Sequence, residues 1–143
     1  MSASAADWGL VLRVAAAAIL LAHGIAHLVG FVGSWRLSPK VPYTTTVFAG
    51  RLDVGTAGTR VLGVLWLLLA ADFLLTAGAA MMGLPWWPRA ALVAATGSLV
   101  MCVAAWPNGV IGAVIDAAII LAVVVWRLGL VGGPGLIRVA LFS

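Results

Sequence analysis

Charge is what this chain has least of. Only 8% of its 143 residues are charged, against about a quarter in a typical soluble domain, so its side chains could not cover a water-facing surface. Its single cysteine, Cys102, excludes an intrachain disulfide, a CxxC redox pair and a zinc ribbon. The disulfide-relay type of four-helix membrane enzyme goes with them. Eight basic residues face four acidic ones, giving a net charge of +4, but they form no cluster or stripe. That is no nucleic-acid footprint; basic residues flanking apolar spans meet lipid headgroups instead. No nucleophile motif, phosphate loop, dinucleotide fingerprint, internal repeat or heptad pattern occurs, and GPGL near the C-terminus reads as a turn. The N-terminus lacks a basic n-region: Asp7 precedes the first apolar run and Arg13 sits within it, so the run reads as a retained helix rather than a cleaved signal peptide.

What remains is hydrocarbon. The chain is 64% hydrophobic with a mean hydropathy of +1.20. It offers four apolar runs of the roughly 20 residues that a bilayer core requires. They are continuous and rich in Ala and Leu rather than alternating, which argues against a β-barrel. The expected architecture is a single all-α domain, an antiparallel bundle of four transmembrane helices at about 8–33, 60–83, 86–106 and 109–127. Residues 34–59, with their prolines, glycines and threonines, form the expected long loop between the first two helices and fold back as a cap.

Trp8, Trp35, Trp86, Trp87, Trp106 and Trp126 mark the interfaces, and Trp66 faces the interior. Arg13 snorkels to the headgroups. Ala18, Ala22, Ala26 and Gly30, every fourth residue, read as a helix-packing row. Residues 129–143 form a Gly- and Pro-interrupted tail in the interface. Arg13, Arg89, Arg127 and Arg138 fall on the side of both termini, and Arg36, Lys40, Arg51 and Arg60 on the other. The basic residues therefore tie, and cytoplasmic termini are expected from the commonness of that layout alone.

Against this apolar background the run Leu20 to Gly30, LLAHGIAHLVG, stands out. His23 and His27 are four residues apart and share a helical face, and an ionisable side chain inside a membrane span is a functional-site hypothesis by default. At a rise of about 1.5 Å per residue, His23 lies some 5 Å beyond the middle of the first helix. Asp116, on the antiparallel fourth helix, comes to a similar depth, so a His23–Asp116 hydrogen bond is expected. Asp72 falls near the centre of the second helix. Carboxyl groups at such depth are expected to face inward and pair, or to stay protonated.

The same residues admit a purely structural reading. His27 would be a packing histidine, His23–Asp116 an interhelical lock, and Asp72 an acid bonded to Thr76. No metal is expected: the HxxxH triplet is Gly-Ile-Ala without a glutamate, and two histidines on one helix cannot clasp both faces of a haem.

Arg13, then His23-Gly24, then Gly30-Phe31 resemble the opening helix of the DoxX-like small membrane proteins, whose first helix often reads R…HGxxKxxG. His27 stands where many members have lysine. The run RVLGVLWLLLAADF is also similar to uncharacterised actinobacterial relatives. The resemblance implies a four-helix protein of the bacterial inner membrane, in a family linked to quinone-coupled sulfur oxidation and redox-stress complexes.

The leading functional expectation is acid–base chemistry on an apolar, lipid-like small molecule, such as an isomerisation, cyclisation or hydration. His23, Asp72 and Asp116 would be the catalytic groups, and His27, Trp66, Phe73, Thr76, Trp106 and Asn108 the substrate-binding ones. The alternatives are a quinone-binding subunit of a membrane redox complex and a purely structural subunit. Partners would be the bilayer itself, the apolar molecule, and a second copy or another membrane subunit.

Overall fold

In hydrocarbon every backbone polar group must be satisfied within the chain, and this one does so in helices. The computed structural model describes residues 5–128. They form α1 (Ala5–Ser34), α2 (Gly55–Met81), α3 (Trp87–Ala104) and α4 (Val110–Arg127), an antiparallel bundle whose four helices are each long and apolar enough to cross a membrane. The side chain of Trp8, the tail from residue 129 with its GPGL turn, and Arg138 lie outside the described residues.

The long loop expected over 34–59 is not present in that form. Helix α2 already begins at Gly55, and residues 35–54 carry a small antiparallel hairpin, β1 (Thr46–Val47) paired with β2 (Leu52–Asp53). Gly55, Gly58 and Thr59 read as loop punctuation, yet a helical glycine costs only about 1 kcal/mol. Thr59 meanwhile satisfies its hydroxyl on the Gly55 carbonyl at 2.9 Å. The hairpin tip is docked rather than free: Phe48 N–H donates to the Ala104 carbonyl at 2.7 Å and Ala49 N–H to that of Trp106 at 3.0 Å. These bonds supply donors to two carbonyls at and just beyond the end of α3 that no further helical turn would satisfy.

Helix ends follow local rules. Beyond α2, Gly83 adopts φ +67°, with Leu84 N–H on the Ala79 carbonyl and Gly83 N–H on that of Ala80, the paired bonds of a Schellman cap. Pro88 opens α3, where a missing N–H costs nothing. Arg36 ends α1 with the same bonding pattern at φ 53°, although it is not glycine, and its guanidinium lies 3.8 Å from the centre of the Tyr43 ring. Arg13 does not simply snorkel. Its Nη1 lies so close to Gly83 that a Cβ there would come within 2.6 Å, which puts a cation at the negative end of α2.

Helix α1 packs on α2, α2 on α3 and α3 on α4. The core is small-sided, built from Ala17, Leu20, Phe73, Ala77, Ala80, Ala91, Ala94, Ala95 and Val123, which lets backbones approach closely. The expected packing row is only partly used: Ala18, Ala22 and Ala26 are exposed. Ala17, Leu20, Gly24 and His27 are the buried stripe. On a helix that is apolar all round, four-residue spacing does not choose the face.

Trp35, Trp86 and Trp106 are exposed at helix ends, Trp87 and Trp126 stack with centroids 6.5 Å apart, and Trp66 turns inward.

Candidate functional site

Two turns of α1 supply the centre of the site. His23 and His27 are both 4% exposed, and their rings meet edge-on with centroids 4.5 Å apart. His23 Nε2 lies 2.8 Å from Asp116 Oδ1 on α4, so the expected pair is present. Asp116 has no exposed surface. Its second oxygen, Oδ2, lies 2.6 Å from Ser98 Oγ on α3, and that hydroxyl is also 2.7 Å from His27 Nε2. The other ring nitrogen of His27, Nδ1, donates to the His23 carbonyl at 2.9 Å. Cys102, one turn beyond Ser98, places its sulfur 3.9 Å from the same hydroxyl. The result is one continuous path, His27–Ser98–Asp116–His23, tying α1, α3 and α4 together.

Helix α2 contributes aromatic carbon. Phe73 presents its ring to both histidines, with centroids at 4.9 and 5.3 Å, and Trp66 lies against His27 at 5.1 Å. Glycines make this possible. A Cβ at Gly24 would come within 2.9 Å of Phe73 Cβ, one at Gly30 within 2.6 Å of the Trp66 ring, and one at Gly112 within 2.6 Å of Cys102 Sγ.

Not every expected residue joins the site. Asp72 is half-buried and lies outside the hydrogen-bonded set of His23, His27, Ser98 and Asp116. The reason is helical phase: Phe73 faces the histidines, and its neighbour is rotated about 100° away. Thr76 is fully buried, and its hydroxyl lies towards Asp72 one turn away on the same helix, without a hydrogen bond of good geometry. Trp106 and Asn108 line a different space, a cavity of about 370 Å³ beneath the hairpin, walled also by Thr44, Thr46, Thr59, Trp66 and Met101. No group of three or more His, Cys, Asp or Glu side chains suited to a metal ion occurs among the described residues.

Sequence reasoning missed Ser98 and Cys102. The depth arithmetic that paired His23 with Asp116 would have found Ser98, which lies past the middle of α3 on the same side as His27, had hydroxyls been counted along with ionisable groups.

On the opposite side of the cluster from the hairpin cavity, α1 and α4 part to leave an apolar groove of about 700 Å³. Its walls include Leu12, Ala16, Leu20, Ala118, Ile119 and Trp126. On α1 the groove lining stops at Leu20, one turn before His23; on α4 it runs past Asp116, from Trp126 through Ile119 to Ile115 and Val114. Neither cavity is lined by His23, His27 or Asp116 themselves. Chemically, the cluster is a hydrogen-bonded acid–base set shielded from water, with apolar space on one side and hydroxyl-lined space on the other. Comparison with known proteins leaves the site to be read on its own geometry: no family model, no curated protein and no solved structure matches the chain.

Proposed function

We propose that this protein carries out acid–base chemistry on an apolar, lipid-like molecule seated in the groove between α1 and α4, with His23 and Asp116 as the acid–base pair. The observation that supports this most directly is the buried 2.8 Å contact between the two at the head of an apolar groove. An isomerisation, cyclisation or hydration needs one proton delivered and one removed, which such a pair can do in turn. Leu20 on α1 and Ile115 and Ile119 on α4 line the groove beside the pair, so the reacting end of the substrate meets His23 when those side chains rotate aside. His27 and Phe73 hold the His23 ring. Under this reading the chain resides in a bacterial inner membrane with cytoplasmic termini, in keeping with the DoxX-like proteins it resembles. A quinone would fit the same groove, and the redox alternative then requires a partner that carries the electrons.

The near-complete burial of His23 and Asp116 also favours the structural reading, in which the pair only locks α1 to α4. The two separate experimentally. Mass spectrometry of the purified protein identifies the lipid it retains, and Ala118→Phe, which fills the groove, should deplete it. Asp116→Asn should retain that molecule, while its turnover falls on the order of a hundredfold or more. An unchanged lipid profile in Ala118→Phe removes the groove from the reading, and undiminished turnover in Asp116→Asn leaves the pair as a lock.

A further inference from the structure

Ser98 has one proton and two close partners, with His23 Nε2 farther off at 3.4 Å. Its Oγ lies 2.6 Å from Asp116 Oδ2 and 2.7 Å from His27 Nε2, and a hydroxyl donates to only one acceptor at a time. His27 Nδ1 is committed, because the His23 carbonyl at 2.9 Å can only accept. If Ser98 donates to Asp116, His27 Nε2 must carry a proton to donate to Ser98, and His27 is then an imidazolium facing a carboxylate. If Ser98 donates to His27, Asp116 Oδ2 must carry the proton and donate to Ser98, and both groups are neutral. The two arrangements hold the same number of protons. They differ by two concerted shifts: His27 Nε2 to Ser98 Oγ, and Ser98 Oγ to Asp116 Oδ2.

We propose that Ser98 is a proton relay, so that His27 and Asp116, which do not touch, share one proton through its hydroxyl. The groups facing the relay are His23 and His27 from α1, Cys102 from α3 and Asp116 from α4, whereas α2 offers only the Phe73 and Trp66 rings. The His27 end lies under the hydroxyl-lined hairpin cavity, closed off by Trp66 and by Met101, one turn beyond Ser98. The Asp116 end lies above the apolar groove. The relay thus lies between the two spaces without opening into either. It deepens the proposed acid–base reading by naming the route that would reload the pair, but its test uses no substrate and stands or falls separately.

The test is nitrogen-15 NMR of the full chain in liposomes with labelled histidine, of which there are two. In Asp116→Asn the side-chain amide donates permanently to Ser98, so His27 should be held neutral, protonated on Nδ1 alone, and its Nε2 signal should move to that of a bare ring nitrogen. In the Ser98→Ala background, exchanging Asp116 for Asn should leave the His27 signals where they are. Ser98→Thr, which keeps the hydroxyl, should restore the response. If Ser98→Ala does not fold, the bulkier, weakly bonding Ser98→Cys against Ser98→Thr makes the same comparison, with the response diminished in the thiol variant. A full His27 response to Asp116→Asn without the hydroxyl would overturn the relay and assign the coupling to the direct His23–His27 ring contact, as would a wild-type His27 that ignores Asp116→Asn.

Discussion

At the scale of single residues, Asp116 holds more than its size suggests. It accepts from or donates to two side chains on two other helices at 2.8 and 2.6 Å and is fully buried. Truncation and isosteric replacement should therefore part company. Asp116→Ala takes from His23 Nε2 its 2.8 Å partner, while Ser98 keeps His27 at 2.7 Å; a stranded buried group costs roughly 1–3 kcal/mol, so a drop in unfolding midpoint in detergent should be plain. Asp116→Asn keeps the oxygen towards His23 and a donor towards Ser98, and its stability should stay within about 1 kcal/mol of the parent. Asp72→Asn, outside the network, should be near neutral in both stability and ligand retention. A large loss from Asp72→Asn would show that this residue does more than its half-buried place on α2 accounts for. Both histidines and both deep aspartates were legible in the sequence as costly residues, but only the helix rotation separates Asp116, inside the network, from Asp72, outside it.

At the scale of elements, the hairpin between α1 and α2 carries the most local strain. Phe48, Ala49 and Gly50 all have positive φ, a region that costs a residue with a Cβ roughly 1–2 kcal/mol. Ala49 is exposed, so Ala49→Gly should stabilise by up to about 1 kcal/mol after glycine's entropy cost is deducted, read as a higher thermal midpoint. A lower midpoint would mean that the Ala49 methyl group makes a stabilising contact at the bundle end.

Next to the hairpin, Asp53 Oδ1 accepts the Gly55 N–H at 2.9 Å, and that bond, with help from Thr45, holds its carboxyl below the usual range. A group with a depressed folded-state pKa stabilises above its unfolded value and loses that contribution as pH falls through the folded one. The start of α2 should accordingly loosen below about pH 4, seen as a loss of exchange protection at the Gly55 amide relative to its intrinsic rate at each pH, and Asp53→Ala should show the low protection at every pH. Gly55, Gly58 and Thr59 carry loop-like propensities, and their helical state depends on Thr59 bonding back to Gly55 and on the packing of α2 against α1.

At the scale of the whole molecule, the bundle is two helix pairs joined along α2 and α3, with the polar path His27–Ser98–Asp116–His23 fastening α1 to both α3 and α4. Small alanine faces give close approach but little directional preference, so the polar path should decide how the halves register. If the chain is cut in the turn after Gly83 and the α1–α2 and α3–α4 halves are co-expressed, they should co-purify. Asp116→Ala in the second half should weaken that association several-fold, read as the fraction recovered with a tag on the first half. Undiminished recovery would place the association energy in the alanine faces and not in the network.

The sequence by itself determined the class: so little charge and four apolar runs leave a membrane helix bundle as the one arrangement that satisfies the backbone. It also determined that His23 and Asp116 reach a common depth, because depth depends only on position along a helix of known rise. Tertiary structure alone decided which faces turn inward. Every face of these helices is apolar, so hydrophobic periodicity does not distinguish Ala18, Ala22 and Ala26, which face out, from Ala17 and Gly24, which are buried, and it is silent on Ser98. That choice came from steric fit, with glycines receiving Phe73 and Trp66, and from the need of each buried polar atom in the path to find its partner across a helix boundary.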